Sequence, residues 1–104
     1  MSALVANVAV PYQQLYSFCE RHHIRTLSLF GSVLRADFRP ESDVDVLIEF
    51  EPDHVPGFFG LVAMQDELSE LFGRTVDLNT PHALSPHFRQ KVLQTAWKIY
   101  ERAG

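Results

Sequence analysis

The first half of the chain shows one helical and two extended patterns of apolar residues. From Pro11, a favourable first helical residue, apolar positions recur every three or four residues, which predicts an amphipathic helix ending near His23. Residues 26–30 predict a short strand, and residues 42–50 predict a second strand in which apolar and polar positions alternate. The period of two places Val44, Val46, Ile48 and Phe50 on one face and Asp43, Asp45, Leu47 and Glu49 on the other.

The second half predicts a helix, a strand and a last helix. An apolar stripe over residues 58–72 closes at Gly73, a natural C-terminal stop. Residues 74–79 predict a third strand that turns Asp77 away from the core. From Pro86, helical spacing of apolar residues predicts a C-terminal helix. Its apolar positions are Phe88, Val92, Ala96, Ile99 and Ala103.

These elements predict a small α/β (α+β) domain, a mixed β-sheet of three or more strands flanked by helices, with the functional site on the open face of the sheet. The length of 104 residues fits a single domain over residues 1–104. A composition that is 46% hydrophobic and 21% charged excludes the largely disordered and low-complexity classes. The chain is therefore expected to bury a core of its own.

The net charge and the single cysteine limit which binding partners and which cellular compartment are expected. Nine basic and thirteen acidic residues give a formal net charge of −4, the wrong sign for stable binding of long nucleic acid. No run approaches the roughly 18 apolar residues of a membrane span. The single Cys19 lies in the first helical pattern and is interpreted as a buried thiol in a reducing compartment, so a cytoplasmic location is expected.

Three carboxylates, those of Asp43, Asp45 and Asp77, fall on the polar sides of two predicted strands. If they lie close together they repel one another unless a cation joins them. Hard oxygen ligands favour Mg²⁺, which binds one or two carboxylates together with substrate phosphates, so a nucleotide is implied. Gly31 and Ser32 follow the first strand, where glycine lets a phosphate approach the backbone and the serine donates to it. An Asp-x-Asp pair alone, or a Gly-Ser pair alone, is common on a solvated surface.

The spacing between these motifs raises their significance. Ten residues, 33–42, separate Ser32 from Asp43, and Asp45 follows after one more. This arrangement resembles the signature of the minimal nucleotidyltransferases (MNT domains) of the DNA polymerase β superfamily, which is Gly-Ser, ten residues and Asp-x-Asp. The segments 29–35, 42–48 and 76–81 also resemble that family. In its small size the chain is most similar to the MNT-domain antitoxins that are paired with HEPN-domain ribonuclease toxins.

The resemblance implies a polymerase β-type nucleotidyltransferase fold and a role for each motif. Asp43 and Asp45 would hold two Mg²⁺ ions, and Asp77 would complete the metal site and help to deprotonate the attacking hydroxyl. The terminal phosphates of ATP would bind at Gly31 and Ser32.

Arg35 has two interpretations. It either reaches the phosphates of the nucleotide or pairs on the surface with Asp37 or Glu41. Lys91 and Arg89 of the last helix either approach the nucleotide or belong to a solvated helical face.

The acceptor is expected to be a partner protein, because so short a chain has little surface left to hold one. The resemblance implies transfer of AMP from ATP to a tyrosine of the HEPN toxin with release of pyrophosphate. Whether the chain forms a homo- or hetero-oligomer stays open. Core packing is expected to account for most of the aromatic residues Phe58, Phe59, Trp97 and Tyr100, with partner docking as the alternative. Two other functions stay open: neutralisation by binding alone, and nucleotidyl transfer to a small molecule or RNA.

Overall fold

The computed structural model describes residues 3–5, 8–36, 38–39 and 41–102, so Asp37 and Ala103 lie outside the described residues. Two 3₁₀ turns, Gly31–Leu34 and Pro81–Ala83, accompany the helices and strands. In chain order those helices and strands are β1 (Ala3–Val5), β2 (Val8–Val10), α1 (Tyr12–Arg21), β3 (Ile24–Phe30), β4 (Val44–Phe50), α2 (Phe58–Phe72), β5 (Val76–Asn79), α3 (Pro86–Thr95) and β6 (Trp97–Glu101).

The principal sheet has four strands in the order β5-β4-β3-β6. Strand β3 runs antiparallel to both of its neighbours, whereas β4 and β5 are parallel. Strands β1 and β2 form a separate antiparallel pair. The prediction of a mixed sheet of three or more strands flanked by helices is confirmed.

One face of the sheet carries the main core, as the alternation in β4 predicts. Val44, Val46 and Ile48 are fully buried and belong to one cluster with residues of α1 and α2, such as Phe18 and Leu68. Removing such side chains from water stabilises the fold by about 1.5–3 kcal/mol each. Helix α1 ends at Arg21, two residues before the predicted end. Helix α2 ends at the predicted residue, and Gly73 caps it with a left-handed φ of 69°.

The opposite face of the sheet is only partly open. Leu47, which shares this face with Asp45, is buried together with Phe30 of β3 and Val92 of α3. Helix α3 therefore packs on the face that the sequence predicts to be open. Asp45 and Asp77 lie on the polar part of this face, as does Glu49 farther along β4.

The prediction of one C-terminal helix is wrong beyond Thr95. Ala96 adopts an extended conformation, with φ −63° and ψ 143°, and the chain continues as β6 along the edge of β3. A helix through this segment would leave the backbone groups on that edge of β3 without strand partners. Within β6, Ile99 is buried in the main core.

Three of the four aromatic residues assigned mainly to the core are instead exposed. Phe58 and Phe59, in the first turn of α2, are 74% and 84% exposed, and Trp97 is 54% exposed. Tyr100 is partly buried against the main core. None of the described helices is long and apolar enough to cross a membrane.

Candidate active site

The turn at the end of β3 is built against the beginning of β4. Phe30 pairs with Asp45 across the two strands, and the chain then turns through Gly31, whose φ of +75° favours glycine. A Cβ atom at Gly31 would collide with Oδ2 of Asp45. The backbone N–H of Ser32 donates a hydrogen bond to the Asp45 carboxylate. Gly31, Ser32 and Asp45 thus form one contiguous unit.

A second carboxyl group joins this unit from the neighbouring strand. The parallel register of β4 and β5 pairs Asp45 with Asp77, so their side chains leave the sheet on the same face. The two carboxyl groups lie close enough for Asp77 to act directly on Asp45. Asp43 lies just before β4, with its side chain exposed. The structure therefore brings Asp45 and Asp77 into contact and places Asp43 two residues away.

The electrostatics of Asp45 reflect this crowding. Partial burial raises the pKa of Asp45, the negative charges of Asp77 and Asp43 raise it further, and the hydrogen bond from Ser32 opposes the shift. A cation between the two carboxylates would relieve this repulsion. The pair is therefore a favourable place for positive charge.

The donor set fits a magnesium ion held jointly with a substrate. Among the described residues, no group of three acidic, histidine or cysteine side chains converges closely enough to hold a metal ion. Mg²⁺ rarely needs such a cage, because it keeps several waters and usually binds one or two carboxylates plus phosphate oxygens. Asp45 and Asp77 supply two carboxylates of this kind beside the Gly31–Ser32 backbone.

A cavity of ≈ 320 Å³ adjoins Gly31, between the Gly31–Leu34 turn and α3. Arg35 borders it from the turn, and Phe88 and Lys91 border it from α3. The sequence left two interpretations for Arg35 and for Lys91, because helical spacing alone does not show which residues of the last helix face the turn. The structure puts both cations beside Gly31.

Arg89 has a different role from its neighbour Lys91. Its Nε donates to the carbonyl oxygen of Pro81 at 2.6 Å, and its Nη2 donates to the carbonyl oxygen of Leu84 at 3.0 Å. These bonds tie the segment after β5 to α3. Of the two interpretations given for Arg89, neither fits these contacts, since the side chain serves the packing of the chain itself.

Cys19 takes no part in this site. Its side chain is fully buried in the main core, and burial raises the pKa of Cys19 to about 12. The thiol is therefore protonated at neutral pH and is not a nucleophile there.

Comparisons with known proteins agree with this geometry. The family model described as "Polymerase beta, Nucleotidyltransferase" matches residues 13–103. The protein adenylyltransferase MntA of Thermococcus cleftensis is 32% identical over 75 residues, which are 72% of this chain and 74% of that protein. A Methanocaldococcus jannaschii protein described as a protein adenylyltransferase is 32% identical over 76 residues, 73% of this chain and 80% of its own length.

Solved structures show the same fold. A structure described as a minimal nucleotidyltransferase matches with a TM-score of 0.67 at 32% identity and covers 81% of this chain and 84% of that one. A toxin–antitoxin complex crystallised with AMP-PNP matches with a TM-score of 0.72 over 89% of this chain and 75% of that one. Its sequence identity is only 15%, so this second likeness concerns the fold alone. The expected polymerase β-type nucleotidyltransferase fold is confirmed.

Proposed function

The chain belongs to the polymerase beta nucleotidyltransferase family, and from this premise we propose that it is an antitoxin that transfers AMP from ATP to a tyrosine of a cognate HEPN-domain ribonuclease toxin. The observation that carries the proposal is the contact of Asp45 with both Gly31 and Asp77. It joins a phosphate-binding backbone to a carboxylate pair, the combination that nucleotidyl transfer requires.

In this proposal the residues of the site have separate roles. The backbone of Gly31 and the hydroxyl of Ser32 bind the terminal phosphates of ATP, and Arg35 adds positive charge from the end of the turn. Asp45 and Asp77, with Asp43 beside them, hold Mg²⁺. When bound, Mg²⁺ neutralises the phosphate charge and favours in-line displacement at the α-phosphorus.

The proposed reaction is a single phosphoryl substitution. The tyrosine oxygen forms a bond with the α-phosphorus of ATP while the bond from that phosphorus to the oxygen bridging to the β-phosphate breaks. Pyrophosphate leaves with the electron pair of the broken bond. The proton of the tyrosine hydroxyl passes to the carboxylate of Asp77, which is exposed at the edge of the pair and accessible to an incoming side chain.

A protein acceptor is favoured over RNA by two observations. The curated relatives are described as protein adenylyltransferases. The net charge of −4 opposes binding of a polyanion. AMP on a tyrosine of the toxin would add negative charge and bulk where a ribonuclease must bind RNA, so the modification would neutralise it.

Intact-mass spectrometry tests the proposal directly. The protein encoded by the neighbouring gene is incubated with this chain, ATP and Mg²⁺, and its mass is expected to rise by one or more adenylyl groups. The Asp43→Ala/Asp45→Ala variant should give no gain, whereas Asp66→Asn, which removes an exposed charge from α2, should behave like the wild type. A stable complex without any mass gain would instead support an antitoxin that acts by binding alone.

A further inference from the structure

The cavity between the Gly31–Leu34 turn and α3 has a charge pattern that its apolar walls do not explain. Phe30, Leu34 and Val92 supply hydrocarbon, whereas Arg35 and Lys91 bring two positive charges to the same ≈ 320 Å³ space. None of the described residues that line it is acidic. An anion bound in this cavity would lie beside both positive charges.

Lys91 is the cation available for a ligand. None of the ion pairs among the described residues involves Lys91. The only other lysine, Lys98, lies on β6 and is paired with Glu101 at 3.3 Å. The two lysines therefore carry the same charge in different surroundings, which makes Lys98 a matched control.

We infer that Lys91 binds the terminal phosphates of the nucleoside triphosphate, so that α3 supplies one wall of the phosphate subsite. This inference rests on the proposed function, because Gly31 connects the cavity to Asp45 and hence to the position of the α-phosphate. A phosphate chain that starts beside Asp45 and passes Gly31 enters the space between Arg35 and Lys91.

Two parts of the nucleotide compete as the occupant of the cavity, the terminal phosphates and the base. Phe88, 47% exposed at the cavity, offers a surface on which a base could stack, and a base would not need the lysine. Inorganic triphosphate has the phosphates without the base or the sugar. If Lys91 binds terminal phosphates, its loss must weaken triphosphate and ATP alike.

Titration calorimetry of the full chain in Mg²⁺ provides the test, with ATP and inorganic triphosphate as the two ligands. Lys91→Gln is expected to raise the Kd of both ligands about tenfold or more, the usual effect of losing a charged hydrogen bond. Lys98→Gln should leave both Kd values within about twofold, since an exposed pair adds little. Circular dichroism of both variants before titration checks that each is folded.

The outcomes distinguish this inference from the proposed function. Unchanged Kd values in Lys91→Gln, or a loss confined to ATP, would overturn the phosphate role of Lys91 while leaving adenylylation of the toxin intact. A tenfold loss for both ligands without any mass gain on the toxin would support the phosphate role and refute the proposed acceptor. Failure of the wild type to bind either ligand would refute both.

Discussion

The carboxylate of Asp45 lies against Gly31 so closely that any side chain at position 31 would occupy the place of its Oδ2 atom. The glycine thus has two reasons to be there, its left-handed φ of +75° and the carboxylate beside it. The Gly31–Leu34 turn and strand β4 share this contact. A change in one must therefore displace the other.

Gly31→Ala is expected to abolish adenylylation and to lower the free energy of unfolding by about 1–3 kcal/mol. The methyl group is strained at this φ and pushes the carboxylate of Asp45 out of place, and a displacement of about 1 Å at a reacting centre costs about a hundredfold in rate. Thermal unfolding and the toxin mass assay measure the two effects.

Gly73→Ala distinguishes the effect of backbone strain at a positive φ from the effect of a steric clash with Asp45. Gly73 has a similar φ of 69°, but no atom lies within 4 Å of a Cβ placed there, and it ends α2 rather than bordering the site. We expect a loss of about 1 kcal/mol in stability with full adenylylation activity. Full activity in Gly31→Ala as well would refute the importance of the contact with Asp45.

Asp45→Asn is expected to stop adenylylation without destabilising the protein in the absence of metal. The amide removes a negative charge that burial, Asp77 and Asp43 disfavour, while its oxygen still accepts the hydrogen bond from Ser32. Differential scanning fluorimetry without Mg²⁺ should give a Tm equal to or above that of the wild type. Addition of Mg²⁺ and ATP should raise the Tm of the wild type but not that of Asp45→Asn, because ligand binding stabilises the folded state.

A lower Tm for metal-free Asp45→Asn would show instead that the ionised carboxylate is structurally necessary. Asp66→Asn is the matched control, since it changes the same functional group on the exposed side of α2. It should respond to Mg²⁺ and ATP as the wild type does.

Much of the site followed from the period of the strands, but its contacts did not. Alternation placed Asp45 opposite Val44 and Asp77 opposite Val76, and both apolar residues are buried as predicted. That Asp45 touches Asp77 depends on the parallel pairing of β4 with β5. Pairing partners and register arise from tertiary packing, which a period of two does not specify.

The C-terminal segment shows why the rest of the fold could not be predicted. Ala96, Ile99 and Ala103 have helical spacing, while Trp97 and Ile99, on either side of Lys98, also fit the period of a strand. A short segment compatible with both periods is decided by its surroundings, here the edge of β3. The same change from helix to strand ends α3 at Thr95, soon after Lys91.

Cys19 is expected to resist alkylation in the folded protein. Its pKa of about 12, raised by burial, leaves almost no thiolate at pH 8, and the side chain has no exposed surface. Mass spectrometry after treatment with iodoacetamide should show no adduct in buffer and complete modification in denaturant. Rapid modification of the folded protein would contradict the burial of α1 against the sheet.

Glu67 is expected to make stability depend on pH in the acidic range. Burial acts to raise its pKa, but hydrogen bonds and charges from Arg21 and His22 outweigh burial and lower the pKa of Glu67 below its usual 4.5. A carboxylate whose pKa is lower in the folded state stabilises the protein above its unfolded pKa, and this contribution disappears as pH falls through the folded value. Urea denaturation at pH 7 and at pH 3 gives the free energy of unfolding at each pH. The difference between the two values should be about 0.5–1 kcal/mol smaller in Glu67→Gln than in the wild type.

Glu70→Gln, an exposed change on the same helix, should keep the pH dependence of the wild type. Equal pH dependence in all three proteins would mean that the link between α1 and α2 through Glu67 contributes nothing to folding.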